Sequence, residues 1–249
     1  MNVIDFHVHP GESLYGQKLP VDELLARMDR LQISRAVLVA PKPRDYVFGP
    51  ANARIQELVL GHEDRFAGFC RVDPWQRYAA VAEAQSCLFD HGMAGIFLHP
   101  QEENFAVNLP MVDDIVTVAS DAEVPVMIAG GHARVSMAPQ VADLVRRWPN
   151  VKFVITSGGQ INVSGVALAE ARQMFLDCPN TWLETSGIYR VDFIEDMAAE
   201  IGAGRIVFGS DSPRYDQELE SKRVLWAHRP EAERALMAGG NAEKLLVRP

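Results

Sequence analysis

Apolar residues along the chain fall into two alternating patterns. Short runs rich in Val, Ile and Phe recur near residues 2–6, 35–40, 66–72, 94–98, 124–129, 151–156, 181–185 and 205–209, with starts 24 to 33 residues apart. The runs are apolar throughout rather than at every second position, as strands buried on both faces of a parallel sheet are. Between them the spacing turns helical. Val21, Leu24, Leu25, Met28 and Leu31 follow Pro20, and Met111, Val112, Ile115, Val116 and Ala119 follow Pro110, where proline suits a first helical turn. Ser136 is placed to cap a helix carrying Val141, Leu144, Val145 and Trp148, and Gly92 to end one that begins near Arg77. The four tryptophans read as core. Eight strands alternating with helices, with no linker between them, predict an α/β protein: a single-domain (β/α)8 TIM barrel over residues 1–249. The rival, a doubly wound open sheet, needs a glycine-rich phosphate turn after the first strand, and His7-Val8-His9-Pro10 stands there instead.

Composition narrows the partners. With 24 Lys plus Arg against 33 Asp plus Glu the net charge is −9, and no basic run is present, so a nucleic acid is not an expected partner. No apolar stretch reaches the roughly 18 residues of a membrane span, so a membrane is not expected either. Cys70, Cys87 and Cys178 form no CxxC pair, and the opening segment has no basic region before a long apolar run, which together predict a cytoplasmic protein. A monomer and a homo-oligomer fit the sequence equally.

Barrels carry their chemistry at the C-terminal ends of the strands. The first predicted strand ends in His7-Val8-His9, whose two imidazoles, being two apart, point to one side. The eighth ends in Gly209-Ser210-Asp211-Ser212-Pro213, and ring closure brings it beside the first. Two histidines and one carboxylate suit a divalent metal, zinc or manganese, with coordination positions left open. His99 closes the fourth strand, and Arg71, Arg134 and Arg214 follow strands three, five and eight. In an acidic chain such arginines predict a small-molecule carboxylate substrate, because the guanidinium fork matches a carboxylate. Glu12 and Tyr15 lie in a loop that reaches the same mouth.

Ile4-Asp5-Phe6-His7-Val8-His9 resembles the opening motif of the amidohydrolase superfamily, and Phe208-Gly209-Ser210-Asp211-Ser212-Pro213 the closing motif of its amidohydrolase-related branch. Gly95-Ile96-Phe97-Leu98-His99-Pro100 resembles the branch's fourth-strand motif, and Asn241-Ala242-Glu243-Lys244-Leu245-Leu246 its closing helix. The resemblance implies a mononuclear metal at His7, His9 and Asp211, with Asp211 as the catalytic acid/base. It also implies a histidine at the end of strand five and another at the end of strand six. This chain has Ala129 and Ser157 there. His132 is a candidate replacement ligand, if Gly130-Gly131 turn the loop back, and Ser157 a candidate hydrogen-bond donor to substrate, joined by the N–H groups of Gly158 and Gly159.

These features predict a hydrolase of a small carboxylated ester, lactone or amide, with Asp211 as general base on a metal-activated water. The alternatives are a metal-free lactonase, in which His7, His9 and Asp211 form an acid/base cluster, and a non-oxidative decarboxylase of an aromatic or muconate-type acid. A non-catalytic binding remnant is the reading outside enzymes.

Overall fold

In the computed structural model, which describes residues 1–161, 165–188 and 190–247, eight parallel strands follow one another in sequence order. They are β1 (Val3–Val8), β2 (Ile33–Val39), β3 (Phe66–Arg71), β4 (Gly95–Leu98), β5 (Val126–Ile128), β6 (Phe153–Ile155), β7 (Thr181–Glu184) and β8 (Ile206–Val207). The ring closes between its last and first strands. Phe6 N–H donates to Phe208 O at 2.9 Å, Asp211 N–H to His7 O at 2.8 Å, and His9 N–H to Ser212 O at 2.8 Å. Helices α1 (Val21–Leu31), α2 (Phe48–Gly61), α3 (Tyr78–Gln85), α4 (Pro110–Asp121), α5 (Ala138–Arg147), α6 (Gly165–Asp177), α7 (Val191–Met197) and α8 (Gln217–Leu225) follow the strands in turn, and α9 (Glu231–Ala235) and α10 (Asn241–Leu246) end the chain. This is a (β/α)8 barrel and a single domain.

The core has two shells, which is why the strands read as apolar on both faces. Ile4, Phe6, Val37, Val39, Phe69, Phe97, Met127, Val154 and Val207 fill the barrel interior, joined by Ala242 and Leu245 of α10. A larger cluster, including Leu24, Met28, Ile55, Leu88, Ile115 and Leu144, lies between strands and helices. Among the described residues no helix is long and apolar enough to cross a membrane.

Three local expectations are corrected. The runs at 124–129 and 151–156 pair over only three residues each, because the chain leaves the ladder at Ala129 and enters a tight turn, Thr156–Gly159. Ser136 does not cap α5: its buried hydroxyl donates to Ala129 O at 2.7 Å, and Met137 takes the cap position. Two tryptophans are not core. Trp75 and Trp226 are 50% and 69% exposed. The Trp75 indole N–H is satisfied instead by Asn104 O at 3.1 Å.

Candidate functional site

The pairing register of β1 against β2 slips between Asp5 and Val8. Strict alternation would put Phe6 and His7 on opposite faces, but a local bulge lets both enter the barrel. Phe6 belongs to the interior cluster with Phe97, and the His7 ring lies 5.4 Å from the Phe97 ring. His9 follows on the same side, 5.7 Å from Phe97. Asp5 points the other way. It is fully buried and accepts from Ser210 N–H at 2.8 Å, Ser210 Oγ at 2.6 Å and Gln217 Nε2 at 2.8 Å. This ties β1 to the segment after β8, where Asp211 sits in the left-handed region at φ 51°, a conformation costly for a residue other than glycine.

Three side chains converge as a result. His7 Nε2 and His9 Nε2 are 2.9 Å apart, and Asp211 Oδ1 lies 3.8 Å from the first and 3.5 Å from the second. Among the described residues, these are the His, Cys, Asp and Glu groups whose ligand atoms gather within 4.8 Å of one another. His9 Nδ1 faces Val39 O at 3.2 Å. A carbonyl only accepts, so the proton of neutral His9 belongs on Nδ1 and its Nε2 offers a lone pair. Burial pushes the His7 imidazole down to about 3, aided by Arg214 and Arg71, and holds His9 well below its usual range, so both are neutral at pH 7. Burial pushes Asp211 well above the usual carboxylate range, against the pull of Arg214. The donors abut a chamber of about 20 Å³, also lined by Ala129, His132, Thr156 and Ser157, which is room for about one water-sized body. Two imidazoles with free lone pairs and a carboxyl group around such a space fit a divalent cation such as zinc or manganese.

A cleft of about 320 Å³ opens above, lined by Leu14, Tyr15, Pro41 and Pro213 together with Lys42, His99, His132 and Arg214. His132 reaches this cleft and the chamber but stands outside the ligand cluster. Its ring lies 5.2 Å from that of His99, and burial and Arg214 push it down to about 4. His99 Nδ1 accepts from Glu102 N–H at 3.2 Å, which leaves Nε2–H as its donor. Arg71 lines the cleft but is 1% exposed. Its guanidinium is held by Glu102, by Glu103 at 2.7 Å and by Ala40 O at 3.2 Å, so its charge is already matched. Arg214 is exposed at the mouth, 3.9 Å from Asp211 Oδ2. Arg134 is not brought there. It is exposed on a left-handed turn at φ 68° and lines neither cavity.

Ala129 is buried at the chamber wall and offers no polar side chain. The turn after β6 holds Ser157 at φ 55° and directs its N–H to Glu184 Oε2 at 3.1 Å. Glu184 is the buried site residue that sequence reasoning passed over. It closes β7, is fully buried, and its Oε2 lies 3.9 Å from His7 Nδ1. Burial pushes its carboxyl up to about 7, opposed by hydrogen bonds from Ser186 and Ser157. A carboxylate ending an otherwise apolar strand run was the readable signal.

Fold and site together define a (β/α)8 barrel with an interior metal-ligand cluster at its C-terminal mouth. The chain belongs to the amidohydrolase family, whose pattern it matches over residues 4–248. No curated protein matches it in sequence. Among solved structures, it is similar to 2,6-dihydroxybenzoate decarboxylase from Rhizobium, with 19% identity, coverage of 99% of this chain and 98% of that one, and a TM-score of 0.79. It is also similar to a dihydroxybenzoic acid decarboxylase from a Polaromonas species, which has bound manganese and the inhibitor 2-nitroresorcinol, at 18% identity, 99% and 97% coverage and a TM-score of 0.79. The 5-carboxyvanillate decarboxylase from Novosphingobium aromaticivorans, complexed with manganese and 4-hydroxy-3-methoxy-5-nitrobenzoic acid, matches at 14% identity, 98% and 96% coverage and a TM-score of 0.81. At these identities the likeness is one of fold.

Proposed function

We propose that the protein is a divalent-metal enzyme of small ring-bearing carboxylic acids, and that its reaction is non-oxidative decarboxylation. The observation that carries the choice of reaction is at the wall opposite the ligand cluster. Ester or lactone hydrolysis develops an oxyanion that needs preorganised donors. Here Ala129 has none and the Ser157 N–H is taken by Glu184 at 3.1 Å, which leaves the His132 ring and the Ser157 hydroxyl at that wall. Loss of CO2 needs no such oxyanion donor. Solved decarboxylases of the same fold, among them manganese-bound ones from Polaromonas and Novosphingobium, favour the same reading.

His7 Nε2, His9 Nε2 and Asp211 Oδ1 would hold the cation. When bound, it supplies positive charge that orients the substrate's oxygens and offsets their negative charge. Arg214 takes the substrate carboxylate at the cleft mouth, and Leu14, Tyr15 and Pro213 cover the ring. Asp211 holds a proton at Oδ2, and that proton goes to the ring carbon bearing the carboxylate. The carbon–carbon bond then breaks, its electron pair returns to the ring and CO2 leaves. Asp211 regains its proton from water in the cleft, so the net change is one proton consumed per CO2 released.

Lactone hydrolysis is the second reading, favoured by His132, whose neutral ring reaches the chamber and can polarise a carbonyl. The test is a panel of hydroxybenzoates and ring lactones offered to manganese- or zinc-loaded protein, with CO2 and acid release followed separately. Stoichiometric CO2 and arene support decarboxylation. Lactone opening without CO2 from any acid overturns it.

A further inference from the structure

Glu184 has no place in the chemistry above, yet the barrel is built around it. Ser186 N–H donates to its Oε1 at 2.8 Å, and Ser186 Oγ and Ser157 N–H donate to its Oε2 at 2.7 and 3.1 Å. Position 209 is glycine where any Cβ would overlap the Glu184 carboxylate, so the neighbouring segment after β8 is cut back to admit it. The carboxylate thus reaches the side of His7 facing away from the ligand cluster, 3.9 Å from Nδ1. His7 Nδ1 is buried and has no hydrogen-bond partner.

The two imidazoles explain why this matters. His9 keeps its proton on Nδ1 against Val39 O, leaving a lone pair on Nε2. With no cation present, His7 can donate Nε2–H to that lone pair across the 2.9 Å gap. A cation at the cluster needs lone pairs on both Nε2 atoms, so the His7 proton must move to Nδ1. In a buried pocket that proton requires an acceptor. Closing 3.9 Å to hydrogen-bond length takes a shift of about 1 Å.

We propose that Glu184 is a positioning residue for the cation site: it accepts Nδ1–H from His7 and thereby fixes the tautomer that turns the Nε2 lone pair toward the cluster. This rests on the cation reading of the site, and it adds a residue behind His7 that supports the ligands without touching the cation. Glu184→Gln tests it with shape conserved. A glutamine that keeps its oxygen on Ser186 N–H presents an amide N–H to His7 Nδ1, a donor facing a donor when the cation is bound.

The experiment measures Mn2+ and Zn2+ affinity of the chelator-stripped 249-residue chain by calorimetry. Nitrogen NMR of the histidine rings then reads the tautomer in Zn2+-loaded protein, with His7 assigned by its loss in His7→Ala. The expected result is a Nδ1–H His7 in the wild type, and a loss of about 10–100-fold in affinity in Glu184→Gln. Glu184→Asp keeps the charge but shortens the reach, and is the second variant if the first fails to fold. It is expected to lose affinity by at least about tenfold. A removed structural support would lower stability without changing which His7 nitrogen bears the proton. Wild-type protein that binds neither metal overturns the cation reading and this inference together. Wild-type binding with either variant within about twofold, or with His7 protonated on Nε2, overturns the inference alone.

Discussion

Asp5→Ala removes the carboxylate that fastens the first strand to the segment carrying Asp211. Four buried donors lose their acceptor: Ser210 N–H, Ser210 Oγ, Gln217 Nε2 and His7 N–H, at 2.8, 2.6, 2.8 and 3.2 Å. Unpaired buried donors cost about 1–3 kcal/mol each, so the loss is roughly 4–12 kcal/mol before any offset. The offset comes from Asp5 itself. Burial pushes its carboxyl from 3.8 up to about 6, so keeping it ionised at pH 7 costs the native state about 3 kcal/mol, which the substitution removes. The net expectation is a loss of about 5 kcal/mol at pH 7, the middle of a range of roughly 1–9 kcal/mol. The pH dependence follows from the sign of the shift. A carboxyl raised in the folded state contributes its full stability below the unfolded pKa and loses it as pH rises through about 6. The wild-type advantage over Asp5→Ala is therefore larger at pH 5 than at pH 7, by about 1 kcal/mol. Urea unfolding followed by tryptophan fluorescence at the two pH values measures both quantities. A loss below about 1 kcal/mol, or one that grows from pH 5 to pH 7, would refute the reasoning.

Phe97→Ala opens a void beneath His7, His9 and His99, whose rings lie 5.4, 5.7 and 5.8 Å from it; calorimetry should show a loss of about 3–5 kcal/mol. Arg71→Met strands buried Glu103 without its 2.7 Å partner; a cost of about 3–5 kcal/mol is expected in urea melts. If the decarboxylase reading holds, Arg214→Ala raises KM for the acid roughly tenfold or more while sparing kcat, and a kcat-only effect would remove Arg214 from binding. Activity should vanish on chelation and return with Mn2+ or Zn2+; activity that survives metal stripping points to an acid/base cluster instead.

Much of the barrel was legible in the sequence because it depends on local pattern. Runs apolar on both faces, with starts 24 to 33 residues apart, specify strands that must be covered inside and out. His7, His9 and Asp211 were legible because they close the first and last of those strands, and ring closure makes the two neighbours. What sequence could not decide depends on register and on where short loops turn. The bulge between Asp5 and Val8, which lets Phe6 and His7 share the interior, is set by pairing with β2 and by the seam to β8. Arg71 looked like a substrate arginine until the fold placed Glu102 and Glu103 against it, and Arg134 lies on a turn that carries it away from the mouth. Ser157 lines the chamber beside the ligands, but that the left-handed turn after β6 aims its backbone N–H at Glu184 was not legible. The sequence by itself determined the barrel and the three converging ligands, because hydrophobic period and strand order are local quantities. Only the tertiary structure decided which charges are matched and which nitrogen lacks a partner, because those depend on side chains brought together across the barrel from strands far apart in the chain.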